Sequence, residues 1–429
     1  MANDNRPKVV VTGIGALAAN GNSVDEYWTS LKAGKSGIGP FTLMESNDYP
    51  CQIGGEVKDF DPTTYVDRKE SKRLARFSQL AVGATTQAVE DAKLDIAAIG
   101  PEDVGVLLGS GAGGLPETEA AARVLVDRGG MRITPFYIPS MLVNMASANV
   151  SRIFGAIGYN ATCVTACAAG TQAIGEAAEV IRRGGAKVMI TGGAEAGICQ
   201  LGMGGFSTIH ALTTHFNDDP TKASRPFDAE RDGFAPAEGA ATLILEDELH
   251  ALERGAHIYG EIAGFGVTSD AFHLVQPHTE GLGAIRSMKK AIADANLTTD
   301  DIDYINAHGT STPMNDKAET LAVKGVFGDN APNVPISSTK SMIGHSLGAS
   351  GALESIAVLK TIEENIMHPT INQETSDPDC DLDYIPNVAR EKQVDAALTN
   401  SFGFGGQNAS LVIKRYVPSV HPHSHNQYS

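Results

Sequence analysis

Apolar positions along the chain fall into two alternating patterns. Short β-branched runs that end in glycine recur as KVVVTGIG from Lys8, DVGVLLGSGAGG from Asp103, KVMITGGAEAG from Lys187, ATLILED from Ala241 and DIDYINAHGTST from Asp301. Between them lie longer stretches with apolar residues three and four apart, such as SQLAVGATTQAVEDAKL from Ser78 and GLGAIRSMKKAIADANL from Gly281. The first pattern predicts buried strands and the second predicts helices that cover them. Their alternation predicts an α/β architecture.

An internal repeat refines that expectation. CAAGTQAIGEAAEVIR from Cys167 lies over HSLGASGALESIAVLK from His345 without a gap, matching Gly170 to Gly348, Glu176 to Glu354, Val180 to Val358 and Arg182 to Lys360. The strand that ends in GSGAGG has a counterpart in the strand that ends in AHGTST. The chain reads as two related halves, residues 1–255 and 256–416, with a disordered tail at 417–429 that carries His421, His423 and His425. In this register Cys167 and His345 open two helices of one design.

Composition removes several function classes. A chain of 429 residues with 42% hydrophobic residues can bury a large core. A formal net charge of -18 argues against nucleic acid as a partner, because binding a phosphate backbone needs a broad basic surface. No run of 18 apolar residues offers a membrane span. Five cysteines, an odd number, fit a reducing compartment better than a disulfide framework, so a soluble cytoplasmic protein is expected.

Two of those cysteines, Cys163 and Cys167, stand four residues apart in NATCVTACAAG. A C-x3-C pair can bind zinc, form a disulfide or supply a nucleophile. No second ligand pair with zinc spacing follows, and the compartment disfavours a disulfide. A thiol at a helix start faces unpaired N–H groups and the positive end of the helix dipole, which favour thiolate. Cys167 has that position, whereas Cys163 lies a turn earlier in an extended segment.

Bases for such a nucleophile lie in the second half: His308 in INAHGTSTPMNDKAE, and Lys340 and His345 in STKSMIGHSLGASG. Each histidine alone also fits a satisfied structural group; together they point to one shared site. NSFGFGGQNASLVI from Asn400 is a strand broken by a Gly/Phe turn, either a plain tight turn or one that brings N–H groups to an oxyanion. GIGALA after the first strand lacks the third glycine of a dinucleotide fingerprint, so no cofactor is expected. DRKESKRLAR from Asp67 gathers Arg68, Lys69, Lys72, Arg73 and Arg76 at helical spacing, as a solvated face or as a dock for an acidic partner.

Four of these segments, VTACAAG, NAHGTSTPMND, STKSMIGHSLGASG and NSFGFGG, resemble in order and spacing the signatures of elongating-type β-ketoacyl-[acyl-carrier-protein] synthases. The resemblance spans residues 7 to 416. It implies the thiolase fold, a five-layered α/β/α/β/α arrangement of two similar halves, as a homodimer with no metal and no cofactor. It implies that Cys167 takes an acyl group from acyl carrier protein, and that N–H groups of Cys167 and Phe404 hold the oxyanion.

By the same resemblance, His308 and His345 stabilise the enolate left when malonyl-carrier protein loses carbon dioxide. Lys340 shapes the electrostatics, Glu319 supports the site from behind, and Phe404 gates it. Lys69, Lys72 and Arg73 match carrier-protein docking positions, and TPFYIPSMLVNM from Thr134 resembles the segment near the dimer contact and acyl tunnel. Ala112 stands at a tunnel place often filled by a larger residue, which implies longer or bulkier acyl chains. CAAG and GGQN depart from the more usual CTSG or CSSG and GGTN.

The implied activity is 3-oxoacyl-[acyl-carrier-protein] synthesis by decarboxylative Claisen condensation. A ketosynthase of a polyketide or specialised lipid pathway shares that chemistry. A non-catalytic chain-length subunit is disfavoured by the intact Cys167.

Overall fold

The computed structural model describes residues 6–419. The run from Lys8 becomes strand β1 (Val9–Leu17), buried along its whole length. Four more strands of the first half follow: β2 (Val104–Gly109), β3 (Asn160–Cys163), β4 (Val188–Glu195) and β5 (Gly239–Asp247). The second half supplies β6 (Gly260–Ser269), β7 (Tyr304–Asn306), β8 (Ile336–Ser337), β9 (Ala396–Gly403) and β10 (Gln407–Lys414).

All ten are hydrogen-bonded in the order β8-β7-β9-β10-β6-β1-β5-β4-β2-β3. The order within the first half, β3-β2-β4-β5-β1, repeats in the second as β8-β7-β9-β10-β6. Strand directions repeat too: β2 runs parallel to β3 and β4, β7 runs parallel to β8 and β9, and the remaining pairs are antiparallel. The halves meet where β1 pairs with β6 at Val10↔Glu261 and Val11↔Gly260.

Five helices complete the layers: α1 (Arg76–Asp91), α2 (Ala169–Arg182), α3 (Leu282–Asp294), α4 (Pro313–Phe327) and α5 (Ser350–Glu364). Helix α1 covers the outer face of β1, β5 and β4, while α3 covers β6 and β10 and packs on α4. Between the two halves of the sheet, α2 and α5 pack on each other. The result is five-layered α/β/α/β/α, with separate apolar clusters under α1, around α2 and α5, and under α3 and α4.

The GxG of the first strand is explained by this packing. A Cβ at Gly13 or Gly15 would stand 2.4 or 2.1 Å from the Ala88 or Ala84 carbonyl oxygen of α1. Gly264 and Gly266 meet α3 in the same way, at 2.1 Å from Ala291 O and 2.2 Å from Ser287 O. These glycines allow a helix to lie directly on a strand.

Three sequence expectations are corrected. The repeat is out of register: 3-10 turns at Ala166–Ala168 and Leu347–Ala349 precede α2 and α5, each opening on a left-handed residue, Ala166 (φ 49°) and Leu347 (φ 45°). The counterpart of Cys167 is therefore Gly348, three residues past His345. Three residues approximate one helical turn of 3.6, so the slipped overlay keeps the apolar stripe aligned.

The basic segment is likewise not one helix. A short helix spans Arg68–Ser71, the chain turns extended at Ala75, and α1 begins at Arg76. Of the expected disordered tail, Val417 and Ser419 are docked, Val417 O accepting from Lys8 Nζ at 2.8 Å and Ser419 N donating to Glu248 at 2.9 Å. His421, His423 and His425 lie outside the described residues.

Candidate active site

Cys167 occupies the 3-10 turn between β3 and α2, with only 6% of its surface exposed. The β9–β10 hairpin presses against this turn. It can do so because residue 403 is glycine: a Cβ there would lie 2.8 Å from Thr165 O and 3.1 Å from Cys167 N. This close approach sets the backbone N–H groups of Phe404 and of Cys167 itself near the Cys167 sulfur, where they favour negative charge on it.

Burial pushes the Cys167 thiol up to about 12, and Glu195 adds to this, while Lys340 and the two N–H groups pull it down. Burial therefore works against the thiolate that the helix start favours. A helix start stabilises negative charge by a fraction of what burial in an apolar wall removes.

His308 lies two residues beyond β7. Its N–H and that of Gly309 donate to the Glu319 carboxylate of α4 at 2.8 and 2.7 Å. Burial pushes Glu319 up to about 7 against those two donors. Lys340 opens a short buried helix, Lys340–Ile343, and its Nζ pairs with Glu354 of α5. The same ammonium donates to His308 O at 2.7 Å and faces His308 Nδ1 at 3.4 Å.

His345 is anchored by its N–H on Ala235 O at 2.8 Å, with Phe234 edge-on to its ring at 5.2 Å. The His308 and His345 rings are 5.4 Å apart and nearly perpendicular. Burial pushes both well below the usual imidazole range, and the Lys340 charge pushes further. Both are neutral, so each carries one N–H to donate.

These groups open on one cavity of about 510 Å³, lined among others by Cys167, Phe234, His308, His345, Phe402 and Phe404. Lys340 and Glu319 stand behind His308 without lining it. Ala112 does not line it either; its N–H donates to Glu195 at 3.1 Å. Cys163 ends β3 away from the cavity, its thiol pushed up to about 12 by burial.

Lys69, Lys72 and Arg73 are exposed and outside the site. Arg73 lies over the Phe136 ring at 5.3 Å. Arg76 turns inward to the buried Glu238 at 2.6 Å and leaves the basic face.

Residues 6–251 match the family model for the β-ketoacyl synthase N-terminal domain, and residues 259–374 match that for the C-terminal domain. The chain belongs to the β-ketoacyl synthase family. It is 50% identical over 416 residues to 3-oxoacyl-[acyl-carrier-protein] synthase 2 of Synechocystis, covering 97% of this chain and all of that relative. The enzyme of the same name from Coxiella burnetii is 46% identical over 95% of this chain and 98% of its own length.

Among solved structures, a β-ketoacyl synthase from Burkholderia phymatum superposes with a TM-score of 0.89 at 37% identity, covering 96% of this chain and all of that one. A type II polyketide ketosynthase, solved with its acyl-carrier protein and a bound hexaketide, gives 0.88 at 36% over 96% of this chain and all of that one. This β-ketoacyl synthase is therefore a condensing acyltransferase with the thiolase fold.

Sequence reasoning missed two buried carboxylates of this synthase. Glu354 is the partner of Lys340, and burial pushes it up to about 7. Glu195, at the end of β4, accepts the N–H groups of Gly111 at 2.6 Å, Ala112 at 3.1 Å and Gly348 at 3.1 Å. It thereby ties the loop after β2 to the turn before α5, across the two halves. The signal for both was an acid inside an apolar run, GALES and TGGAEAG.

Proposed function

We propose that this condensing enzyme extends an acyl chain by two carbons, with Cys167 as the acyl carrier and malonyl-carrier protein as the donor. The observation that carries the reading is one cavity lined by the Cys167 thiol, Phe404 and two perpendicular imidazoles, His308 and His345, whose ring centroids are 5.4 Å apart. In the first step the Cys167 sulfur attacks the thioester of an acyl carrier protein, and the thiol proton leaves with the carrier's thiolate. The N–H groups of Cys167 and Phe404 hold the tetrahedral oxyanion. Burial favours the thiol over the thiolate, so the proton is to leave as the bond forms.

In the second step malonyl-carrier protein enters. His308 and His345 donate to its thioester oxygen while the carboxylate departs as carbon dioxide. The resulting enolate carbon attacks the acyl-Cys167 carbonyl, the sulfur leaves as a thiolate that recovers its proton from solvent, and a 3-oxoacyl-carrier protein is released. Lys340, held by Glu354, keeps positive charge behind His308, and Glu319 fixes the His308 backbone. Phe404 sits in a Gly-flanked hairpin turn that allows the movement required of a gate.

Three wider assignments belong to this proposal. Lys69, Lys72 and Arg73 form the dock for the acidic carrier protein. The chain works as a homodimer, for which β3 is an edge strand flanked by exposed Ile157 and Val164, and Ile138 and Met131 add apolar surface. Ala112 lies outside the cavity, so its assigned effect, room for long or bulky acyl chains, requires a tunnel that extends beyond the cavity. No helix among the described residues is long and apolar enough to cross a membrane, and five free cysteines suit the cytoplasm.

A polyketide ketosynthase remains the second reading, favoured by the 36% identity to the hexaketide-bound enzyme but outweighed by the 50% identity to the Synechocystis synthase. Purified protein given fatty acyl- and malonyl-carrier proteins should release a 3-oxoacyl product two carbons longer. Product formation only from a poly-β-keto primer would reverse the choice.

Reversing the charge of Lys69, Lys72 and Arg73 together should raise KM for acyl-carrier protein about tenfold and leave a small thioester substrate within about twofold. Equal loss with both substrates would remove the docking assignment.

A further inference from the structure

His345 is neutral, so its single ring proton sits on one of two nitrogens, and only a proton on Nε2 can serve an oxygen in the cavity. The partner of Nδ1 decides between them. That partner is Ser350 Oγ, 3.0 Å away on the first residue of α5, and Ser350 Oγ lies 3.2 Å from Ser346 Oγ. All three residues are buried.

Counting protons fixes the direction of this chain. The two hydroxyls bring two protons, and among the described residues the Ser346 hydroxyl has no bonded acceptor other than Ser350. If Nδ1 donated to Ser350, and Ser350 to Ser346, the Ser346 proton would be left buried without an acceptor, at about 1–3 kcal/mol. The opposite direction places both: Ser346 donates to Ser350, and Ser350 donates to Nδ1. His308 is held in the same state by different means, since the Lys340 ammonium facing its Nδ1 has only protons to give.

We propose that Ser350, backed by Ser346, is a positioning residue that locks His345 as the Nε2–H tautomer and aims that proton into the cavity. The catalytic consequence rests on the role given to His345 above; the tautomer itself does not. The test uses full-length protein labelled with 15N-histidine, in which the His345 signals are assigned by their absence from His345→Ala.

The wild type should show His345 protonated on Nε2 alone. Ser350→Ala should mix the tautomers and lower malonyl decarboxylation about tenfold in kcat at unchanged KM, while acyl loading of Cys167 stays within about twofold. Ser346→Ala should move the tautomer ratio in the same direction and supplies the readout where Ser350→Ala does not fold. A wild-type His345 protonated on Nδ1, or a variant that stays purely Nε2–H, overturns the proposal. Retained decarboxylation in His345→Ala would instead overturn the role of the histidine and leave the tautomer result standing.

Discussion

Cys167→Ala is expected to abolish condensation, a loss on the order of 10⁴-fold or more, because the acyl group then has no atom to be carried on. The variant should still decarboxylate malonyl-carrier protein, since His308 and His345 remain. Its fold should survive: Cys167 is a small buried group in a turn whose left-handed residue is Ala166, so the substitution removes one sulfur without straining the backbone. Cys163→Ala is the matched control. Its half-buried thiol lies outside the cavity, so turnover should stay within about twofold. The check is acyl transfer from labelled acyl-carrier protein followed by condensation. Turnover retained by Cys167→Ala, or lost by Cys163→Ala, would overturn the assignment of the nucleophile.

His308→Ala and His345→Ala are expected to lose malonyl decarboxylation by about 10²- to 10³-fold each, the scale of removing one oxyanion donor in a dry site. Acyl loading of Cys167 should persist, since its oxyanion is held by backbone N–H groups.

The two histidines also predict a pH signature. A free imidazole titrates near 6.5, but burial and Lys340 push both of these well below that value. Acidification through 6.5 therefore leaves them as neutral donors, and the decarboxylation profile should show no histidine break there. Decarboxylation retained by both variants would refute the enolate role.

The α/β order was legible because its strands are local apolar runs, and Cys167, His308, His345 and Phe404 were legible because each stands in a short segment of small and glycine residues, also a local pattern. The relation between Cys167 and His345 was not. A slip of three residues hardly changes the apolar stripe of a helix, and only the paired left-handed turns at Ala166 and Leu347 reveal it. Tertiary burial likewise escaped the sequence. It opposes the charge expected on Cys167, recruits Glu354 and Glu195, and draws Arg76 away from the basic face. Each depends on which distant segment covers the group, and no local spacing records that.

The two turns that precede α2 and α5 have diverged from a common plan into different trades. One holds a reactive sulfur. The other is a mechanical bolt: a Cβ at Gly348 would stand 2.6 Å from Gly111 N and 2.7 Å from Ser110 Cα, so no side chain fits there. Steric exclusion in the second copy means that a doubled scaffold keeps a single loading point, and saturation with acyl donor should end at one acyl group per chain.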